Sequence, residues 1–185
     1  MTLPPSSSSD GAPLSTGFER LHPGLQRWIW KKGWPALRDI QEKAISAILG
    51  GDSDLLIAAA TAGGKTEAAL LPILTQVAGE PGSGARVLVV SPLKALINDQ
   101  FQRLEELGEA VELPVHRWHG DVAQSWKSRF LKSPSGVLLI TPESLEAMFI
   151  LRGTLIRCLF ADLAVVVVDE LHAFIGTERG RQLQT

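Results

Sequence analysis

The chain has 185 residues and a formal net charge of −2, with 45% hydrophobic and 21% charged residues, the composition of one globular domain with room for a sizeable core. No global positive field exists to attract a polyanion, so any nucleic-acid contact must come from a local patch or from backbone donors. One cysteine, Cys158, excludes an internal disulfide and a multi-cysteine metal site; no apolar run reaches the roughly 18 residues of a membrane helix, and the start lacks a signal peptide's basic head and apolar core, so a soluble cytoplasmic protein with no membrane partner is expected.

Residues 1–17, rich in Ser, Pro and Gly, read as a disordered leader. Residues 18–52 read as N-terminal helices. The first begins near Pro23, carries Leu25, Trp28, Ile29 and Lys32 at helical spacing, and ends at Gly33. Trp34-Pro35 then forces an extended link. The second helix, roughly 38–49, places Ile40, Ala44, Ile45 and Ile48 on one face.

From residue 53 onward strands and helices alternate. The apolar run 54–60 is expected as a buried parallel strand, followed by a turn of small residues and a nearly all-apolar, buried helix from Lys65 to about 78. A loop (79–84), a strand (85–91) and an amphipathic helix (93–107) come next. Residues 111–119 read as a strand broken by Pro114, and 122–132 as a helix carrying Lys127, Arg129 and Lys132. Strand 136–141, helix 142–151 with Pro at its first turn, and the very apolar strand 163–170 complete the pattern. Valine- and isoleucine-rich strands separated by helices imply a parallel sheet covered on both faces. The expected fold class is α/β, a doubly wound three-layer domain.

In such sheets ligands bind beyond the carboxyl ends of the strands, and five polar clusters fall there. After 54–60 comes Thr61 to Thr66. A strand, a small-residue turn and a helix start form an anion site from unpaired N–H groups and the helix dipole. Lys65 can reach outer phosphates, Thr66 can ligate Mg²⁺, and Gly63 and Gly64 let the backbone approach phosphate. The pattern departs from G-x-x-x-x-G-K-T at Ala59 and Ala62, and an ordinary capped turn could use the same residues. The other clusters are Ser91 to Lys94, His119 to Asp121, Thr141 to Ser144, and Asp169 to His172. An acid at the tip of the last strand can hold Mg²⁺ and its neighbour can activate a water; capping of the next helix is the plainer alternative.

AATAGGKT (59–66) followed by VVVVDELH (165–172) resembles motifs I and II of superfamily 2 helicases of the Asp-Glu-x-His branch. SPLKAL (91–96) resembles motif Ia, TPESLE (141–146) motif Ib, and LRDIQEKAI (37–45) the adenine-reading Q region. The chain is similar in particular to the large helicase-related family of bacterial DNA helicases. The resemblance implies a RecA-like P-loop NTPase domain in residues 53–185 that uses ATP and Mg²⁺. By it, Thr61, Ala62, Gly63, Gly64, Lys65 and Thr66 would hold the nucleotide, and Gln41 would read adenine. Thr66 and Asp169 would hold Mg²⁺, Glu170 would be the general base, and His172 would couple the site to other motifs. Pro92, Leu93, Lys94, Thr141, Pro142 and Glu143 would contact one nucleic-acid strand, DNA in preference to RNA, through phosphates and without reading sequence. Lys127, Arg129 and Lys132 read rather as a solvated face, and Trp28, Trp30 and Trp34 as packing.

That family works with two RecA-like domains, the second supplying arginine fingers. No Ser-Ala-Thr motif III follows motif II, so the expectation is a first motor domain whose sheet is incomplete at the C-terminal side and which needs a second RecA-like domain in cis or trans. The missing strand would lie between 54–60 and the motif II strand. Without it the chain by itself is expected to be destabilised and prone to aggregate. Three readings stay open: the ATP-binding domain of a helicase, a fragment that binds ATP and nucleic acid without helicase activity alone, and an unrelated phosphate-loop ATPase.

Overall fold

Four short strands carry the domain: β1 (Val87–Val90), β2 (Val115–Trp118), β3 (Val137–Ile140) and β4 (Val165–Val168). The computed structural model describes residues 16–51, 53–60, 63–79, 82–177 and 180–181. The sheet runs β2-β3-β1-β4, with every pairing parallel. Central β1 and β3 are buried throughout, which is why their sequences do not alternate.

Alternate strand residues feed two cores. Val87, Val89, Val137 and Leu139 pack with Leu25, Ile45, Leu71, Leu74, Ile97 and Leu104. These come from α2 (Pro23–Lys31), α3 (Asp39–Gly50), α4 (Lys65–Val77) and α5 (Lys94–Ala110). Leu88, Val90, Leu138 and Ile140 face Phe130, Met148 and Leu159 instead, on α6 (Gln124–Lys132) and α7 (Pro142–Leu159). Helices therefore cover both faces, and the three-layer α/β arrangement is as expected. Among the described residues no helix is long and apolar enough to cross a membrane.

Several boundaries differ from expectation. Residues 54–60 form no strand; Leu55 is 46% and Leu56 74% exposed. A strand needs a ladder partner, and β1, the natural core position, is already flanked by β3 and β4. The outer side of β4 carries no strand among the described residues, and Val166 and Val168, on one face of this edge strand, are 52% and 37% exposed. β2 starts only at Val115, because Pro114 has no N–H to donate; its carbonyl still accepts from the Val137 amide at 2.9 Å. α7 runs on to Leu159 through a kink at Arg152 (φ −134°, ψ 27°). At the other end, α1 (Thr16–Arg20) takes in two residues of the expected leader. Phe18 and Leu21 are buried there, and the Gly17 amide donates to Glu42 Oε2 at 3.1 Å. Trp28 and Trp34 meet edge to face at 5.5 Å against the core, as packing predicts, whereas Trp30 is 68% exposed.

His116 of β2 stacks against Phe130 with ring centroids 5.0 Å apart. Burial, then the Arg129 charge, hold its pKa below the usual imidazole value; burial does the same to His119, opposed by Asp121. The unfolded chain therefore binds these protons first, and stability is lost as pH falls below about 6.5. Thermal melts from pH 8 to 5 are expected to show a falling midpoint, and His116→Leu a smaller fall. An equal fall in the two proteins would remove His116 from the account.

Candidate functional site

The start of α4 is shaped by two glycines that could be nothing else. Gly64, its N-cap, is left-handed (φ 84°, ψ 25°). A Cβ there would sit 3.0 Å from Gln41 Nε2. At Gly63 it would stand 2.8 Å from the Ala60 carbonyl oxygen and 3.0 Å from Ala59 Cβ. The first N–H groups of a helix have no intrahelical acceptor, so this tight turn delivers donors and a positive dipole end to one spot. Lys65 Nζ donates to the Ala59 carbonyl at 3.1 Å. Thr61 and Ala62 lie outside the described residues.

Gln41 is 2% exposed. Its Oε1 accepts from the Arg38 amide at 2.9 Å, which caps α3 and orients the side-chain NH₂ toward Gly64. A cleft of about 800 Å³ opens in front of these groups. Gln41, Gly63, Gly64, Lys65, Thr66 and Glu170 all line it, so six of the expected site residues come together. Sequence reasoning missed others on the same wall. Glu67, 5% exposed, pairs with Arg103 Nη1 of α5 at 2.9 Å, and Trp34 and Arg38 close the side beside Gln41. Nothing in the spacing of a polar helix such as α5 marks Arg103 in advance; α5 must first be laid against α4.

The tip of β4 is divided. Glu170 is left-handed at φ 49°, one of two non-glycine residues so placed among those described, and its carbonyl accepts from Ala173 at 2.8 Å to start the 3₁₀ turn Leu171–Ala173. A bulky residue held there stores strain of the kind found at functional sites. Its Oε2 lies 3.2 Å from His172 Nδ1, and the His172 side chain is 80% exposed. Asp169 and His172 are not on the cleft wall. Asp169 is tied down from two sides: its amide donates to the Val90 carbonyl at 2.9 Å, and its Oδ2 accepts from Gln100 Nε2 at 2.7 Å.

The remaining expected residues form a second group, assembled by strand register. Val90 and Ile140 end β1 and β3 side by side, and the Ser91 amide donates to the Ile140 carbonyl at 3.0 Å. The starts of α5 and α7 are thereby adjacent. Pro92, Thr141 and Pro142 are buried, while Leu93, Lys94 and Glu143 are exposed. Lys94 Nζ bonds both carboxylate oxygens of Asp121, at 3.0 and 3.1 Å; this contact holds the Asp121 carboxyl below its usual range. Asn98 Oδ1 accepts from Arg117 Nη1 at 2.9 Å and lies 3.2 Å from His119 Nε2. Lys127 lies 5.7 Å from the Trp118 ring centre, and its charge reaches His119 and Asp121.

A family model for DEAD/DEAH box helicases matches residues 38–185. The chain is 30% identical to the ATP-dependent helicase Lhr-Core of Methanothermobacter thermautotrophicus over 88% of its own length and 20% of the relative's. It is 36% identical to the Lhr helicase/probable uracil glycosylase of Mycolicibacterium smegmatis over 86% of itself and 11% of that protein. Among solved structures, the Mycobacterium smegmatis helicase Lhr bound to ssDNA and AMP-PNP superposes with a TM-score of 0.74 at 32% identity, covering 91% of this chain and 22% of that one. The chain thus spans a fifth or less of the length of these two relatives.

Proposed function

The chain belongs to the DEAD/DEAH box helicase family, and from this premise we propose that residues 53–185 are the first RecA-like, ATP-binding domain of a helicase or translocase acting on single-stranded nucleic acid. Residues 18–52 are its N-terminal Q-like region. The observation that carries the proposal is the single cleft onto which Gln41, Gly63, Gly64, Lys65, Thr66 and Glu170 converge.

The residues on the cleft wall fit ATP, and Thr66 on that wall with Asp169, which stands off it, would hold Mg²⁺. The glycine turn leaves room where a Cβ would collide with Ala60 or Gln41, and the hydroxyl of Thr66 and carboxylate of Asp169 are the hard oxygen donors Mg²⁺ takes. When bound, Mg²⁺ supplies charge neutralisation across the phosphates. Lys65 exchanges the Ala59 carbonyl for a phosphate oxygen. Thr61 and Ala62 add loop amides. Gln41, whose Oε1 is engaged by Arg38, offers its NH₂ to the base edge. Glu170 accepts a proton from the attacking water, and His172 carries its state to neighbouring motifs. Pro92, Leu93, Lys94, Thr141, Pro142 and Glu143 form the strand-binding edge, where Lys94 releases Asp121 for a phosphate. DNA is the preferred strand, a second RecA-like domain completes the site, and the location is cytoplasmic.

A second reading is binding of nucleotide and nucleic acid with little turnover by this chain alone; the exposure of His172 beside the open cleft favours it. ATP turnover by the 185-residue chain, with and without single-stranded DNA, separates the two. Stimulated turnover supports the first, binding alone the second, and no ATP binding would sink both.

Gln41→Ala is expected to lower the preference for ATP over GTP about tenfold, because an unpaired polar edge is what rejects the wrong base. Loss of its α3 cap costs about 1 kcal/mol of stability besides. Competition binding with the two nucleotides reads the first effect and a melt the second. A lower melt with unchanged preference would make Gln41 a capping residue only.

A further inference from the structure

We infer that Gln100 is a positioning residue for Asp169, and that through it α5 ties the strand-binding edge of the domain to the carboxylate that would hold Mg²⁺. This rests on the site reading proposed above.

Asp169 leaves β4 on the side of the sheet where, among the described residues, β1 is its neighbour. The ladder fixes its amide through Val90 but not its side chain. The side chain is fixed from α5, where Gln100 Nε2 donates to Oδ2 at 2.7 Å in a partly buried contact. An amide suits this task better than a cation. It holds one carboxylate oxygen while leaving the charge in place and the other oxygen open, and an ionised carboxylate has about four acceptor sites. A Lys or Arg in the same place would cancel the charge that attracts a divalent ion.

The same helix starts at the strand-binding edge. Lys94, in its first turn, holds Asp121. Gln100 follows six residues on, about 9 Å along the axis. Between and beyond them Ile97 and Leu104 are fully buried, so α5 is keyed into the core and moves as a rod. A shift at Lys94 when a phosphate replaces Asp121 is carried to Gln100 and to Asp169. The bond therefore gives nucleic acid a mechanical path to the metal carboxylate that needs no contact with the nucleotide.

The test is Mg²⁺ titration of binding of a fluorescent ATP analogue to the 185-residue chain, with a parallel measurement in EDTA, each with and without single-stranded DNA. Gln100→Ala and the similarly sized Gln100→Met, which removes the N–H donor without adding charge, are compared with wild type. The expected result is a Mg²⁺ half-saturation point raised on the order of 10- to 100-fold, the usual effect of removing a partner of a metal ligand. Affinity in EDTA stays within twofold, and the response of the half-point to DNA is lost. Equal weakening in EDTA and Mg²⁺ marks a merely structural bond and overturns the inference, as does an unchanged half-point. If wild type fails to bind the analogue in Mg²⁺, the site reading falls and this inference with it. If wild type binds and the variants match it, this inference alone falls. Gln100→Met nearly keeps the side-chain volume, so the comparison survives should the alanine variant fold poorly.

Discussion

Replacing Lys65 with alanine is expected to cut ATP turnover by a hundredfold or more and to weaken nucleotide binding, while leaving the fold intact. The magnitude is that of removing one preorganised donor from a developing charge, about 10²–10³ in rate. The fold should survive because Lys65 occupies the first, part-exposed turn of α4, where its side chain bonds a loop carbonyl at 3.1 Å; alanine is the best helix former for that position. Glu170→Gln should separate the two functions, keeping nucleotide affinity but losing turnover to a similar extent. Glu170 allows a sharper control. Since its backbone is left-handed at φ 49°, Glu170→Gly should stabilise the chain by about 1 kcal/mol even as turnover disappears. Turnover assays beside thermal melts decide the matter. A Lys65→Ala protein with wild-type turnover contradicts the nucleotide site altogether, and a Glu170→Gly protein that melts earlier contradicts the strain.

The open side of β4 carries the second large effect. Four consecutive valines form that strand, and Val166 and Val168 are 52% and 37% exposed on an edge whose backbone has no partner among the described residues. Leu55 and Leu56 add exposed apolar surface in a segment without a ladder. Edges of this kind template pairing between copies. The purified 185-residue chain is therefore expected to self-associate at tens of micromolar, and Val166→Lys with Val168→Lys to return it to a monomer. The substitution leaves the first core alone, since Val165 and Val167 are the strand residues that pack there. Light scattering against concentration reads the outcome. A wild-type chain that stays monomeric and melts cooperatively would show that the edge is protected.

The helices and strands were largely legible because their signals are local. Two glycines before Lys65-Thr66 mark a helix start, and VLVV, VLLI and VVVV are β-branched and apolar enough to read as strands. The segment 54–60 misled for a matching reason. Its residues suit a strand as well as those of β1 do, but pairing is decided by a neighbour, not by propensity. Likewise the reading of residues 16–17 as leader gave way because Phe18 and Leu21 find a core that their own stretch does not advertise.

The site divides along the same line. Gly63, Gly64, Lys65, Thr66, Asp169 and Glu170 are visible as residue types, since glycine, lysine, hydroxyl and carboxylate groups are the ones a phosphate and Mg²⁺ site would draw on. Whether they share a cavity is set by the parallel register of β1, β3 and β4 and the packing of α3 on α4. That packing puts Gln41 behind Gly64, brings Arg103 to Glu67, and separates Asp169, held by Gln100, from the cleft wall that Glu170 lines. These contacts join residues from 23 to 69 positions apart, or close a turn that glycine alone permits. Composition and local pattern determine which groups the chain can offer to a nucleotide. Long-range packing, where each contact depends on all the others being in place, decides which of them meet.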